Sequence, residues 1–302
     1  MCGMEAGMNR SVTMENDALR VQVYPQIGGK VASIVDKADG YELLFNFPDE
    51  IPTTHVYDSP YGEHWFAGWD ECFPSVAPSP YVGHPYDGIV SPDHGELWGL
   101  PTTAVPTKDG ITTVWHGLRF GYRFVRKLFI EESSVVAQYT LVNLSPFPFR
   151  FVWAMHALMS AKSPAEIELG TVTMRRSHLA NEQPVEGTFT WPYWTEGVDL
   201  SQPAKLMADH GWKSFSQQPI DHEAVIKYPA RNRSVRIAYA SEQVPAYWGV
   251  WVNTGGWLHH QHFAIEPTTG RADQLDRAIR DGSAGQVEPS GTVEWLVRFS
   301  VS

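Results

Sequence analysis

Apolar and more polar residues alternate one by one in the segments of this sequence that have a regular hydrophobic pattern. The longest examples lie near the two ends of the chain. Successive side chains of a strand point to opposite faces, so this pattern is typical of antiparallel strands with one buried face. The sequence therefore predicts an all-β protein built from large antiparallel sheets. The clearest alternating apolar positions are Leu19, Val21 and Val23, and Val293, Trp295, Val297, Phe299 and Val301.

Helical spacing is limited to residues 273–281, where Leu275, Ala278 and Ile279 precede Gly282. A glycine after the last periodic residue is a common helix end. The segment 45–103 has little periodicity, and irregular segments of this length usually form functional loops. No change of composition marks a linker. We therefore expect a flexible tail over residues 1–12 and a single domain over residues 13–302.

Charge and composition exclude several classes of protein. Lys and Arg total 23 and Asp and Glu total 34, which gives a formal net charge of −11. Such a chain lacks the basic surface that binding to nucleic acid or to an anionic membrane requires. It has no apolar run of the roughly 18 to 20 residues that a membrane helix needs. The first ten residues do not resemble a signal peptide, so we expect a cytoplasmic protein.

Three titratable residues stand where a catalytic group could be presented. His94 lies between an acid and a glycine in the irregular segment, His156 lies in an alternating segment, and Glu266 precedes Pro267 at the end of a predicted strand. Each also has a structural interpretation, because a single strand histidine is more often a satisfied structural residue. Spacing along the sequence does not show that the three side chains meet.

The 12 Trp, 12 Tyr and 14 Phe residues are an aromatic surplus. Aromatic rings stack on the apolar faces of sugars, and carboxylates accept hydrogen bonds from sugar hydroxyls. Within the irregular segment, Trp65, Trp69 and Trp98 stand among acidic residues and histidines. Trp248 is a further candidate for stacking, although core packing is the favoured explanation of its position. From the residues alone, the sequence favours a carbohydrate-directed groove.

The sequence gives little sign of a metal site. His259, His260 and His262 are close in sequence, but no carboxylate or cysteine accompanies them at metal-site spacing. Cys2 and Cys72 are too few for a disulfide framework or a zinc cluster. Cys72 also follows Asp70 and Glu71, and nearby negative charge makes a thiol a poorer nucleophile. We therefore predict no metal and no cofactor.

The order of several short segments over residues 19–301 resembles the galactose mutarotase-like superfamily, the aldose 1-epimerases. The resemblance begins with a Gly-Gly turn and ends with a Pro-Gly turn before the last strand. The segments that carry it are Gly28-Gly29-Lys30, Gly68-Trp69-Asp70-Glu71-Cys72-Phe73-Pro74, His94-Gly95, Trp153-Ala154-Met155-His156, Ala264-Ile265-Glu266-Pro267 and Glu288-Pro289-Ser290-Gly291.

The resemblance implies a β-supersandwich and the interconversion of the α and β anomers of a free sugar without a cofactor. By resemblance, Glu266 is the base that takes the C1 hydroxyl proton, and His156 is the acid at the ring oxygen. His94 is implied as a hydrogen-bond donor that orients the sugar. A carboxylate and an imidazole can hold the complementary protonation states that this reaction needs.

Two departures from the family pattern leave alternatives open. Galactose mutarotases have a sugar-binding Arg before the His-Gly, whereas the matching stretch here has none, and Trp69, Asp70 and Glu71 are the candidates to replace it. The family's sugar-binding Asp between the second His and the Glu has no clear counterpart. A hexose-6-phosphate 1-epimerase and a non-catalytic carbohydrate-binding protein therefore remain alternatives. A polysaccharide lyase or hydrolase would need a longer cleft than this chain length favours.

Overall fold

The computed structural model of this chain describes residues 11–47, 50–107, 110–181 and 183–302. Strands dominate the described residues, and the helical elements are short. One α-helix, α1 (Leu275–Arg280), falls inside the predicted helical segment, and four 3₁₀ turns lie at Tyr61–Glu63, Leu97–Gly99, Pro203–Lys205 and Pro229–Arg231. In chain order the strands are β1 (Val12–Glu15), β2 (Leu19–Tyr24), β3 (Lys30–Asp36), β4 (Tyr41–Glu42), β5 (Trp69–Cys72), β6 (Ser79–Pro80), β7 (Val90–Ser91), β8 (Thr103–Thr107), β9 (Gly110–His116), β10 (Tyr122–Glu131), β11 (Ser134–Asn143), β12 (Phe149–Phe151), β13 (Ala154–Ala157), β14 (Met159–Ser160), β15 (Glu166–Glu168), β16 (Thr173–Leu179), β17 (Thr188–Thr190), β18 (Tyr193–Thr195), β19 (Val198–Asp199), β20 (Gly211–Ser216), β21 (Ala224–Tyr228), β22 (Arg233–Ala240), β23 (Tyr247–Thr254), β24 (Gln261–Thr268), β25 (Gly285–Val287) and β26 (Thr292–Val301).

Two large antiparallel sheets organise the described part of the chain. The larger sheet has 12 strands, with the order β1-β2-β3-β5-β13-β24-β23-β20-β16-β17, while β14 pairs with β24 and β4 pairs with β3. The smaller sheet has eight strands, in the order β15-β21-β22-β26-β11-β10-β9-β8. The predicted all-β class, with large antiparallel sheets and few short helices, is therefore confirmed.

The apolar core lies between the two sheets. The alternating positions that predicted strands are the buried ones: β2 and β26 each bury every second residue. Aromatic side chains from opposite sheets meet there, as when the Trp69 ring lies 6.5 Å from the Phe299 ring and the Tyr139 ring lies 4.9 Å from that of Trp153. Burying a large aromatic side chain stabilises the fold by about 2 to 3 kcal/mol, so these contacts hold the sheets face to face.

A buried polar cluster also joins the two sheets. Glu71 on β5 accepts hydrogen bonds from Arg126 Nη1 at 2.9 Å, Tyr139 Oη at 3.0 Å and Trp153 Nε1 at 2.8 Å. Burial raises the pKa of Glu71, and the Arg126 guanidinium opposes that rise. Because Glu71 points into the space between the sheets, its carboxylate crosslinks the core. The expectation that Glu71 contacts a sugar does not match this position.

Two further expectations concern the N-terminal tail and membrane-spanning helices. Residues 1–10 of the predicted tail lie outside the described residues, and the first strand already begins at Val12. No helix among the described residues is long and apolar enough to cross a membrane.

Candidate active site

The central strands of the larger sheet present a group of ionisable side chains on one face. Neighbouring strands β5, β13 and β24 carry Asp70, His156 and Glu266, and β20 carries Lys213. On β5 the side chains alternate, so Asp70 and Cys72 share the face opposite to the core-facing Glu71. Strand alternation therefore separates the residues of this cluster from those that crosslink the core.

Glu266 lies at the centre of the cluster and is 1% exposed. Its Oε1 atom is 3.8 Å from His156 Nε2, and its Oε2 atom accepts a hydrogen bond from Lys213 Nζ. Within the described part of the chain Oε1 has no hydrogen-bond partner, although it is buried. Burial raises the pKa of the Glu266 carboxyl, and the Lys213 ammonium group opposes that rise. One carboxylate oxygen is therefore fixed by the lysine, and the other is left to accept a proton.

Lys213 has a second carboxylate partner. Its Nζ atom lies 3.5 Å from Asp273 Oδ1, and the other oxygen of Asp273 lies 3.7 Å from His178 Nδ1. Burial by itself lowers the pKa of Lys213, but Asp273 and Glu266 outweigh it, and the pKa is raised above its usual value. Lys213 is consequently a permanent positive charge between two buried carboxylates.

His94 is held by backbone geometry and by two side chains. Both His94 and Gly95 have positive φ, at 54° and 76°, and a Cβ on Gly95 would overlap the backbone of Phe73. The His94 ring stacks on Tyr61 with centroids 3.8 Å apart, and its Nδ1 is 2.8 Å from Asp93 Oδ1. Only glycine fits the position after His94, which explains the local Asp-His-Gly sequence.

The Tyr61 hydroxyl connects His156 to a buried ion pair. It donates to Asp70 Oδ2 at 2.7 Å, and its oxygen lies 3.3 Å from His156 Nδ1. Asp70 is in turn paired with Lys30. The proton of the Tyr61 hydroxyl is directed at the carboxylate, so the Tyr61 oxygen is left to accept a hydrogen bond. We therefore assign a proton to Nδ1 of His156, which donates to that oxygen. His156 Nε2 then faces Glu266.

The environment of His156 opposes its protonated form. Burial lowers the pKa of the imidazole well below its usual value, and the positive charges of His94, Lys213 and Lys30 lower it further. The rings of His94 and His156 lie 5.0 Å apart. At neutral pH, His156 is therefore mainly neutral.

These side chains border a cavity of about 630 Å³. His156 and Lys213 line this cavity, and the buried Glu266 lies behind them in contact with both. A space of this size holds a small-molecule ligand. The other polar and aromatic residues of the wall are Tyr61, Glu63, Asp93, His94, Ser177, His178, Trp251, Trp257, His262, Asp273, Gln274 and Arg277.

The structure brings together His94, His156 and Glu266, the three residues that the sequence analysis singled out for chemistry. It does not bring Trp69, Trp98 or Trp248 to the cavity wall, since all three are at most 1% exposed and pack in the interior. Asp70 lies behind Tyr61, with its charge paired to Lys30. The expected stacking of these tryptophans on a sugar therefore does not match their positions. Trp251 and Trp257 are the tryptophans that line the cavity.

Several residues of this site escaped the sequence analysis. Lys213, Tyr61 and Asp273 lie in segments without a recognisable motif, and they reach the cavity only because distant strands become neighbours. Apolar and polar residues do not alternate in 211–216, so no sequence pattern pointed to Lys213.

The described residues also include a group with metal-ligand spacing. One ligand atom each from Cys72, His94 and His156 lies within 4.8 Å of the others. The described residues His259, His260 and His262, at which the sequence analysis predicted no metal, do not form such a group: His262 Nε2 accepts from Trp251 Nε1 at 3.2 Å, and burial lowers the pKa of its ring to about 3.

Comparison with known proteins identifies the fold. The chain is similar to a galactose mutarotase-like protein from Clostridium acetobutylicum, with a TM-score of 0.72 and 14% identity over 97% of this chain and 95% of that one. The chain has a galactose mutarotase-like fold. A galactose mutarotase-like protein from Lactobacillus casei ATCC 334 superposes with a TM-score of 0.71 at 14% identity, covering 97% of this chain and 100% of that one. A galactose mutarotase related enzyme from Lactobacillus acidophilus gives 0.70 at 16% identity, with 97% of both chains covered.

Comparison of sequences gives less information about this chain than comparison of structures. Residues 5–96 match the model of a domain of unknown function, DUF5107. No curated protein matches the chain. The expected fold family is thus confirmed at the level of structure.

Proposed function

We propose that this protein is a sugar 1-epimerase that interconverts the α and β anomers of an aldose by general acid and base catalysis. The observation that carries the proposal is the pair formed by Glu266 Oε1 and His156 Nε2, which stand 3.8 Å apart where His156 lines the cavity. The C1 hydroxyl and the ring oxygen of a pyranose are bonded to the same carbon. A base and an acid a few ångströms apart can therefore act on both.

In the proposed reaction, Glu266 takes the proton of the C1 hydroxyl while His156, in its minor doubly protonated form, gives the Nε2 proton to the ring oxygen. The C1–O5 bond breaks, and an open-chain aldehyde forms. Rotation about C1–C2 presents the other face of the carbonyl. The two proton transfers then run in reverse, which restores both residues and closes the opposite anomer.

The surrounding side chains assist these two groups. Lys213 favours the ionised form of Glu266 and opposes the effect of burial, and Tyr61 orients the His156 ring through Nδ1. His94, supported by Asp93, is proposed to donate a hydrogen bond that orients the sugar. Trp251 and Trp257 replace Trp69, Trp98 and Trp248 as the proposed stacking surfaces. No step of this scheme needs a metal or a cofactor.

The direct test is anomer exchange measured by NMR on purified protein with a panel of neutral and phosphorylated hexoses. Phosphorylated sugars belong in the panel because the exposed, cationic Arg277 lines the cavity. We expect Glu266→Gln to slow the accelerated exchange by about 10² to 10⁴. Glu168→Gln, at a surface ion pair, is the matched control and should behave like the unmodified protein.

Three outcomes are informative. Acceleration that Glu266→Gln abolishes supports the proposal. Acceleration that survives this substitution refutes Glu266 as the base. Sugar binding without any acceleration refutes the enzyme and favours a non-catalytic carbohydrate-binding protein.

A further inference from the structure

The group formed by Cys72, His94 and His156 has a property that the epimerase scheme does not use. Its three ligand atoms, a sulfur and one nitrogen from each ring, lie within 4.8 Å of one another. The ligand atoms around a tetrahedral zinc ion stand about 3.3 to 3.8 Å apart, because zinc bonds to nitrogen and sulfur are about 2.0 to 2.3 Å long. Small side-chain rotations would bring these atoms to that spacing.

A fourth ligand atom stands beside this group. Glu266 Oε1 lies 3.8 Å from His156 Nε2, is buried and has no hydrogen-bond partner within the described part of the chain. Its side chain is 1% exposed, and Lys213 already holds the other carboxylate oxygen. The orphaned oxygen completes a set of one cysteine, two histidines and one glutamate, which is chemistry that zinc accepts.

The outer contacts of both imidazoles have the form usual for metal-binding histidines. Such a ring normally directs its second nitrogen at a carboxylate or another polar oxygen, which fixes the tautomer. His94 Nδ1 is 2.8 Å from Asp93 Oδ1, and His156 Nδ1 is 3.3 Å from Tyr61 Oη. In both rings this leaves Nε2 as the nitrogen that can bind a cation.

The charge around the group favours a cation. Four carboxylates, from Asp70, Asp93, Glu266 and Asp273, surround it together with the two ammonium groups of Lys30 and Lys213. The balance is −4 + 2 = −2 when the imidazoles are neutral. Each lysine is already paired with a carboxylate, Lys30 with Asp70 and Lys213 with Glu266. A divalent cation would neutralise this excess.

We propose that Cys72, His94, His156 and Glu266 form a binding site for a thiophilic divalent cation such as zinc, and that the bound cation excludes the sugar. The cation replaces the thiol proton of Cys72, which passes to water. It then occupies the same Glu266 oxygen and His156 nitrogen that the epimerase reaction requires. The inhibition rests on the proposed function, whereas binding of the cation does not.

The test of binding uses cobalt chloride as a spectroscopic probe and zinc chloride as its competitor on the full chain. A cobalt–thiolate charge-transfer band that zinc removes is the expected signature of Cys72. Cys72→Ser should abolish the band and weaken zinc binding at least about 100-fold, while Asp93→Asn should weaken it about 10- to 100-fold. Cys2→Ser is the matched control and should keep the band.

Cys72 is buried, so Cys72→Ala serves as a second variant, and circular dichroism and thermal unfolding verify that each variant folds. The absence of stoichiometric cobalt binding to the unmodified protein would overturn the proposal. So would binding that folded Cys72 variants or His94→Asn retain unchanged, since the cation would then lie elsewhere, for example at His259 and His260.

The test of inhibition measures anomer exchange at increasing zinc concentration. We expect the rate to fall in proportion to the occupied fraction and to recover when a chelator is added. Cys72→Ser, which leaves the acid and base in place, should keep its activity and lose its zinc sensitivity. Zinc bound with the thiolate signature but without inhibition overturns the exclusion of sugar. A protein that binds zinc but accelerates no sugar refutes the epimerase and leaves the cation site supported.

Discussion

The buried contact between Lys213 and Glu266 gives the sharpest prediction about the active site. Lys213→Met replaces the ammonium group with an apolar side chain of similar length. Both Glu266 and Asp273 then lose their positive partner, at depths where each carboxylate is at most 4% exposed. Breaking a buried ion pair by removing one partner is strongly destabilising, because it leaves an uncompensated charge.

The size of this effect follows from the distances. Nζ of Lys213 lies 3.5 Å from Asp273 Oδ1, and the attraction of two unit charges at that separation is about 5 kcal/mol at an effective dielectric constant of about 20. Glu266 is closer still. Since the carboxyls can take up protons instead of remaining charged, we expect a net loss of about 3 to 5 kcal/mol in the free energy of unfolding at pH 8.

The loss should depend on pH. Without Lys213, burial and the nearby Asp273 carboxylate raise the pKa of Glu266 further above the value in the unfolded chain. A group with a raised pKa stabilises the fold at low pH and loses that contribution as the pH rises towards the folded value. Urea unfolding at pH 5 should therefore show a smaller difference between Lys213→Met and the unmodified protein than unfolding at pH 8.

Anomer exchange provides the second measurement. A protonated Glu266 cannot accept the C1 hydroxyl proton, so the activity of Lys213→Met at pH 7 should fall more than about tenfold, and the limb of the pH profile that reports Glu266 should move to higher pH. Lys227→Met is the matched control, because Lys227 pairs with Glu168 at half-exposed positions. It should change stability by less than about 1 kcal/mol. A Lys213→Met protein that is as stable at pH 8 as the control, with an unchanged pH profile, would refute this account of the lysine.

Three further predictions concern the site and the core. The pH profile of kcat/KM should have its optimum on the acid side of neutrality, because burial lowers the pKa of His156 and raises that of Glu266. An optimum above pH 8 would contradict the roles assigned to these two residues. Glu71→Gln weakens the charge-assisted bond from Arg126 and should lower the free energy of unfolding by about 1 to 3 kcal/mol in urea, with KM unchanged. Gly95→Ala should reduce activity and the thermal unfolding temperature, because its positive φ and the adjacent backbone leave no room for Cβ; full activity would show that the loop adjusts.

The fold was predictable because strand alternation records which face is buried. β26 buries every second residue, as expected from Val293 to Val301. The same rule failed for β5, where Trp69, Asp70, Glu71 and Cys72 are all buried. A central strand covered on both faces needs no alternation, and here polar residues are buried on both sides because each has a partner. The irregular segment 45–103 was therefore assigned to functional loops, although Trp69–Cys72 within it form a strand of the larger sheet.

The site was only partly predictable, for a related reason. His94, His156 and Glu266 lie in segments that resemble a known family, and the structure places them together. Lys213, Tyr61 and Asp273 have no such motif, and their importance depends on charges that meet only after folding. Sequence could not show that an ammonium group lies between two carboxylates, nor that Tyr61 links His156 to Asp70.

The orientation of β5 explains how one short segment supports both the core and the active site. Glu71 points between the sheets, where Arg126, Tyr139 and Trp153 use three hydrogen bonds to hold the strand in place. Asp70 and Cys72 point the other way, towards Tyr61 and the histidines. A shift of β5 by one residue would exchange these two faces, so that Glu71 would leave the space between the sheets and Asp70 or Cys72 would take its position. The buried Glu71 cluster therefore fixes the register on which the geometry of the active site and of the proposed cation site depends.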